Sequence, residues 1–79
     1  MANINRMAFE TALRMLKLRE RYVIRDRKLV LDFPERTVTF HFEGDRVFRV
    51  EDGKEDEVRF QNAGEIYKYL EELASNSGV

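Results

Sequence analysis

The chain has no cysteine, no tryptophan, one proline, one histidine and four glycines among its 79 residues. Without cysteine there is no disulfide framework, no thiol nucleophile, no iron–sulfur cluster and no cysteine-containing zinc site. A single imidazole leaves no second histidine to complete a metal or proton-transfer site. No apolar run approaches the roughly 18 residues of a membrane span, and Met1 to Arg6 leads into no signal-like stretch. The expectation is a cytoplasmic protein with no membrane partner. Scarce glycine and proline, beside 43% hydrophobic and 37% charged residues, also argue against wholesale disorder.

A length of 79 residues implies one domain, residues 1–79, with the small and polar end 75–79 expected to fray. A domain of this size buries only about 60% of its unfolded surface and is marginal unless it oligomerises. The broad apolar stripe of the helix expected at the start of the chain leaves surface for a partner or for a homodimer.

Formal net charge is only -1, but the charge is unevenly placed. Residues 1–30 carry eight basic and three acidic side chains; residues 51–79 carry three basic and eight acidic ones. Such a chain either folds its two ends together, cancelling the charge, or presents opposite fields on two parts of one surface. Ten of the fourteen cations are arginine, whose rigid fork of donors suits carboxylate or phosphate.

Apolar residues Ile4, Ala8, Ala12, Met15 and Leu18, with Phe9, Leu13 and Leu16 beside them, follow a 3.6-residue period. The spacing predicts a helix from about Asn5 to Glu20, capped by Asn3 or Asn5, with Met7 and Met15 as core filler. Its polar side aligns Arg6, Glu10, Arg14, Lys17 and Arg21, and Glu10 is spaced to pair with Arg14. Tyr22 to Ile24 favour β structure and are left between an edge segment and a connector. Period-two patterns then predict strands over 29–33, 37–42, 46–50 and 55–60.

A three-residue turn at Glu43 to Asp45 sets Phe40 opposite Phe48 and Val38 opposite Val50. A further three-residue turn with a bulge at Asp52 to Lys54 sets Val58 opposite Phe48. The preceding hairpin pairs Leu29 with Phe42 and Leu31 with Phe40. Asn62 with Glu65 reads as a capping box for a second helix with the stripe Ile66, Tyr69, Leu70 and Leu73. Together these predict an α+β two-layer sandwich: a three- or four-stranded antiparallel meander with both helices on one face. The open face then carries Thr37, Thr39, His41, Val47, Arg49, Glu57 and Arg59.

Chemical motifs are sparse. His41 has no Ser, Cys or second His in its vicinity and reads as a surface residue. The acidic run Glu51, Asp52, Glu55, Asp56 and Glu57 lacks the spacing of a calcium loop, and the glycines form no phosphate-cradling motif. No catalytic, cofactor-binding or metal-binding residue is assigned, and the chain is not expected to be an enzyme.

The order of helix, strands and helix resembles that of the double-stranded RNA-binding domain. That family has a lysine-rich start to its second helix, where this chain has Ala63, Gly64, Glu65 and only Lys68, so the resemblance is confined to element order. The reading is a protein-binding or regulatory module without catalysis. Its acidic hairpin (Asp52, Glu55, Asp56, Glu57) and basic helix (Arg14, Lys17, Arg21) contact another protein. Nucleic-acid binding by the basic helix is the alternative. Thr39, His41, Arg49 and Arg59 mark the open sheet face.

Overall fold

The computed structural model describes residues 4–78. The element order is α1 (Ile4–Met15), a 3₁₀ turn (Arg19–Arg21), β1 (Tyr22–Arg25), β2 (Lys28–Asp32), β3 (Thr37–Glu43), β4 (Arg46–Glu51), β5 (Lys54–Val58) and α2 (Ala63–Ser75). The five strands form one antiparallel sheet in the order β1-β2-β3-β4-β5. Both helices cover one face, giving a two-layer α+β sandwich. The segment from Tyr22 is therefore a true strand, one more than the strands expected.

Helix α1 stops at Met15, five residues before the expected end, and the reason is local. Lys17 N–H donates to Arg14 O at 3.1 Å and Leu18 N–H to Leu13 O at 2.9 Å, while Lys17 adopts a left-handed φ of 60°. This pair of bonds is a Schellman stop, in which the left-handed residue is usually glycine. Buried Leu18 and Leu13 supply the apolar contact that accompanies such a stop. Met7 and Met15 are 59% and 66% exposed, not core filler. Glu10 pairs with Arg6 at 3.5 Å in place of Arg14. Asn3 lies outside the described residues, and Asn5 sits within the helix, its amide donating to Asp45 O.

Helix α2 begins as expected. Asn62 Oδ1 accepts from Glu65 N–H at 3.0 Å, and the Glu65 carboxylate reaches back to Gln61 N–H at 2.8 Å. At the other end a frayed tail is not what residues 75–78 form. Ser75 closes the helix, Ser77 is fully buried with its hydroxyl on Leu73 O, and Glu35 N–H donates to Ser77 O. Val79 lies outside the described residues.

The core joins Phe9 and Leu13 of α1 and Ile66 and Leu70 of α2 to Leu29, Leu31, Val38, Phe40, Phe42 and Val47 of the sheet. Phe9 is its pivot, with ring centroids 4.9 Å from Phe40, 5.4 Å from Phe42 and 5.7 Å from Phe60 in tilted or edge-on arrangements.

Register departs from expectation in three places. Leu29 pairs with Phe40 and Leu31 with Val38. This is a shift of two residues, which leaves every side chain on its expected face. The β3–β4 and β4–β5 hairpins differ by one residue each. Phe42 pairs with Val47 and His41 with Phe48, across the two-residue turn Gly44–Asp45; Val47 pairs with Val58, across the two-residue turn Asp52–Gly53. No extra residue is accommodated at 52–54.

Turn chemistry explains both. A three-residue hairpin loop wants its left-handed residue last, where this chain has Asp45, whereas Gly44 with φ 61° occupies the first central position of a two-residue type II′ turn. Asp52 and Gly53 are both left-handed, at 54° and 79°, as a type I′ turn requires. A one-residue slip turns β4 over. Val47 and Arg49, expected on the open side, face the helices, while Phe48 and Val50, expected in the core, face outward.

Two stability outcomes follow from this packing. Phe40→Ala should cost about 3–5 kcal/mol and Phe48→Ala well under half as much, measured by urea denaturation. Equal losses would place Phe48 in the core. Lys17→Gly should stabilise the chain by up to about 1 kcal/mol, because glycine relieves the left-handed strain at some cost in chain entropy. A lowered midpoint would show that the Lys17 side chain contributes more than its backbone costs.

Candidate interaction surface

Successive strands align their outward residues into two rows across the open face. One row runs Val23, Val30, Thr39, Val50, Glu55; the other runs Arg25, Lys28, His41, Phe48, Glu57. Both begin on edge strand β1 and end on edge strand β5. The middle is apolar or weakly polar, with Val23 54% exposed and Val30, Thr39, His41, Phe48 and Val50 half-buried. Of the residues expected here, Thr37, Thr39, His41 and Glu57 are present, whereas Val47 and Arg49 face the helices. Arg59 lies just beyond β5, 85% exposed at its side chain.

Arg49 instead joins a polar cluster under α2. Its guanidinium donates to Tyr69 Oη at 2.8 Å and to Glu51 Oε1 at 2.6 Å. Glu51 also sits 3.3 Å from Arg36 Nε, an ion pair lacking hydrogen-bond alignment. Burial alone would lower the Arg49 pKa, but the bonds to Glu51 and Tyr69 outweigh it and hold the group charged more firmly than usual.

The acidic hairpin is not one patch. Glu55 and Glu57 project from the open face, Asp56 from the opposite face, and Asp52 lies in the turn. Glu57 is neutralised internally by Arg46 at 2.9 Å and Arg59 at 3.4 Å, leaving Asp52, Glu55 and Asp56 unpaired. Arg46 also lies 5.1 Å above the Phe48 ring. The hydrogen bond from Arg46 is the main cause that holds the Glu57 carboxyl below its ordinary range, and the same bond raises Arg46.

The basic residues are likewise not one helical face. Arg14 is in the last turn of α1, Lys17 is the left-handed residue beyond it, and Arg21 closes the 3₁₀ turn. With Arg19, Arg25, Arg27 and Lys28 they are all exposed, and none joins an ion pair among the described residues. The two charged ends therefore do not cancel. Arg25 on β1 and Glu55 on β5 lie on opposite edges of the sheet, separated by four strand spacings, roughly 19 Å.

Phe48, Val50, Val30 and Val23 are the surface residues that sequence reasoning missed. The signal that identifies the first two is the position of Gly44 within its turn together with Asp-Gly at 52–53. Away from the sheet, a groove of about 550 Å³ between α1 and α2 is lined mainly by Ala8, Ala12, Met15, Ala63 and Tyr67. Among the described residues no group of three or more His, Asp or Glu side chains is arranged to hold a metal ion, and no helix is long and apolar enough to cross a membrane.

In an NMR titration the Glu57 carboxyl should titrate below the ordinary glutamate value, and Arg46→Gln should return it toward that value. Because its folded pKa is the lower one, the pair's contribution to stability is present above the unfolded-state pKa and is lost as pH falls through the folded value. An unchanged Glu57 titration in Arg46→Gln would assign the shift to Arg59. Comparison of the chain with protein-family models, with curated proteins and with solved structures finds no match to any of them.

Proposed function

We propose that this chain is a small cytoplasmic, non-catalytic binding module that docks another protein through its charged ends. The observation that carries this reading is the separation of unpaired charge. Seven cations between Arg14 and Lys28 lack ion pairs, while Asp52, Glu55 and Asp56 are unpaired at the other edge of the sheet. Crowded like charges repel one another and destabilise the compact state, so a partner of complementary charge relieves a strain that the chain does not relieve itself. Paired arginines give direction to such a contact, and the opposed edges fix its orientation.

The concentration of unpaired cations between Arg14 and Lys28, interrupted by Glu20 and Asp26, also favours a second reading, contact with a nucleic-acid backbone. The acidic edge opposes it, since a phosphate chain laid along the basic edge is repelled wherever it approaches β5.

Charge reversal at Asp52, Glu55 and Asp56, or at Arg14 and Arg21, should reduce recovery of a bound protein from the lysate of the native host while circular dichroism stays unchanged. Recovery at wild-type level from both variants would sink the protein-binding reading. If the purified chain instead bound mixed DNA and RNA at low salt and lost affinity steeply as salt rose, the second reading would replace it.

A further inference from the structure

Strand β4 is turned against its own composition. Its helix-facing residues are Val47, Arg49 and Glu51, and its outward ones are Arg46, Phe48 and Val50. The two turns that flank it thus deliver two of its three apolar side chains, Phe48 and Val50, to the surface, where they share a face with Val23 and Val30 from β1 and β2. Apolar residues aligned across a sheet with no third layer over them form a surface that gains from being covered.

The charges around this strip select what covers it. Arg25 and Lys28 border the face on the β1 side, and Glu55 and Glu57 border it on the β5 side. Neither Arg25 nor Lys28 has an ion-pair partner within the chain, and neither does Glu55. With Glu57 already held by Arg46 and Arg59, the unpaired charge on the face is Arg25 and Lys28 towards β1 and Glu55 on β5, opposite in sign at its two ends, with apolar residues between, so that it complements a reversed copy of itself.

We propose that the open sheet face is the contact between two copies of this chain, related by a two-fold axis along β3 in the plane between the sheets. Each β1 then lies over β5 of the second copy. The inference goes beyond the partner-docking reading, since it names another occupant and adds the apolar middle of the sheet, although Arg25, Lys28 and Glu55 belong to both surfaces.

Of the two in-plane axes that bring identical faces together, only this one reverses strand order. It sets Arg25 over Glu57 and Val30 over Val50 of the second copy, Lys28 over Phe48 and Val23 over Glu55, with Thr39 and His41 meeting their own counterparts at the axis; Glu55 then lies beside Arg25 of the second copy along the same edge. The axis across the strands would set β1 over β1 and β5 over β5, juxtaposing like charges at both edges, which costs specificity and affinity. Two sheets stacked this way pack about 10 Å apart and close after two copies, as an isologous contact does. Five strands and about five residues per strand give roughly 400 Å² of flat area per copy, which makes the dimer a weak one, at the low end of specific interfaces.

Sedimentation equilibrium of the purified full chain at low salt tests this directly. The mass should rise with concentration from monomer to dimer and no further. Val50→Lys, at a half-exposed outward position, should leave a folded monomer. Arg25→Glu with Lys28→Glu, and separately Glu55→Lys, should each weaken self-association by about tenfold or more, since like charges are then gathered at the β1-over-β5 edges. These three positions are exposed and unpaired, so the variants keep their fold. Mixing the two variants should give a one-to-one dimer stronger than the self-association of either alone, because one edge then carries the wild-type arrangement and the other sets the introduced lysine beside the introduced glutamates.

A wild-type monomer at every concentration would overturn the proposal, as would a dimer indifferent to Val50→Lys. Masses growing beyond the dimer would point instead to edge-to-edge strand addition, and folded variants that stay monomeric when mixed would refute the β1-over-β5 arrangement. Because every measurement uses the purified chain alone, its outcome is independent of partner recovery from a lysate.

Discussion

Two hairpin turns hold the registry on which the surface depends. Gly44 provides a left-handed residue at the first position of one turn, and Asp52 with Gly53 provides two in the other. Backbone conformation at these positions is restricted by hard sterics, and the primed turns match the twist of the strands they join. That constraint prevails over side-chain hydrophobicity in β4. Phe48 and Val50 move outward and Arg49 moves inward, where Tyr69 and Glu51 satisfy its donors. Placing the guanidinium at the margin of the core under α2 is tolerable because its hydrogen bonds are made.

Everything on the other side of the sheet is organised around Phe9. Its ring meets Phe40, Phe42 and Phe60, and the last of these stacks edge-on with Tyr69 of α2 at 5.3 Å. The two helices are thereby fixed to the sheet through one aromatic chain. A core this small has little redundancy, which is why the capping contacts at Asn62 and the docking of Ser77 beside Pro34 and Glu35 matter to the whole.

Much of the architecture was legible in the sequence. Both helices, the α+β sandwich and the inward positions of Leu29, Leu31, Val38, Phe40 and Val58 follow from period alone. The inward position of Val58 survived because its two hairpins each slip by one residue in opposite effect, so an inverted β4 still hands β5 the expected face. What period could not resolve was local. The end of α1 turns on a lysine in a conformation that favours glycine, and β1 is a four-residue strand whose charges mask its alternation. For the surface, chain order separated the basic and acidic segments but could not say that they reach opposite edges of one sheet. That depends on β1 being a strand and on every connection being a simple hairpin.

The inversion of β4 also bears on how such a chain can change by insertion and deletion. One codon added to the Gly44–Asp45 turn alone would rotate β4 and, through their shared ladder, β5 as well, bringing Glu55 and Glu57 beneath the helices. A second length change at Asp52–Gly53 would be needed to turn β5 back. Lineages that alter the length of either turn therefore have to alter both, and chains that do so would exchange an outward-facing Phe48 for an outward-facing Val47 while keeping the same topology.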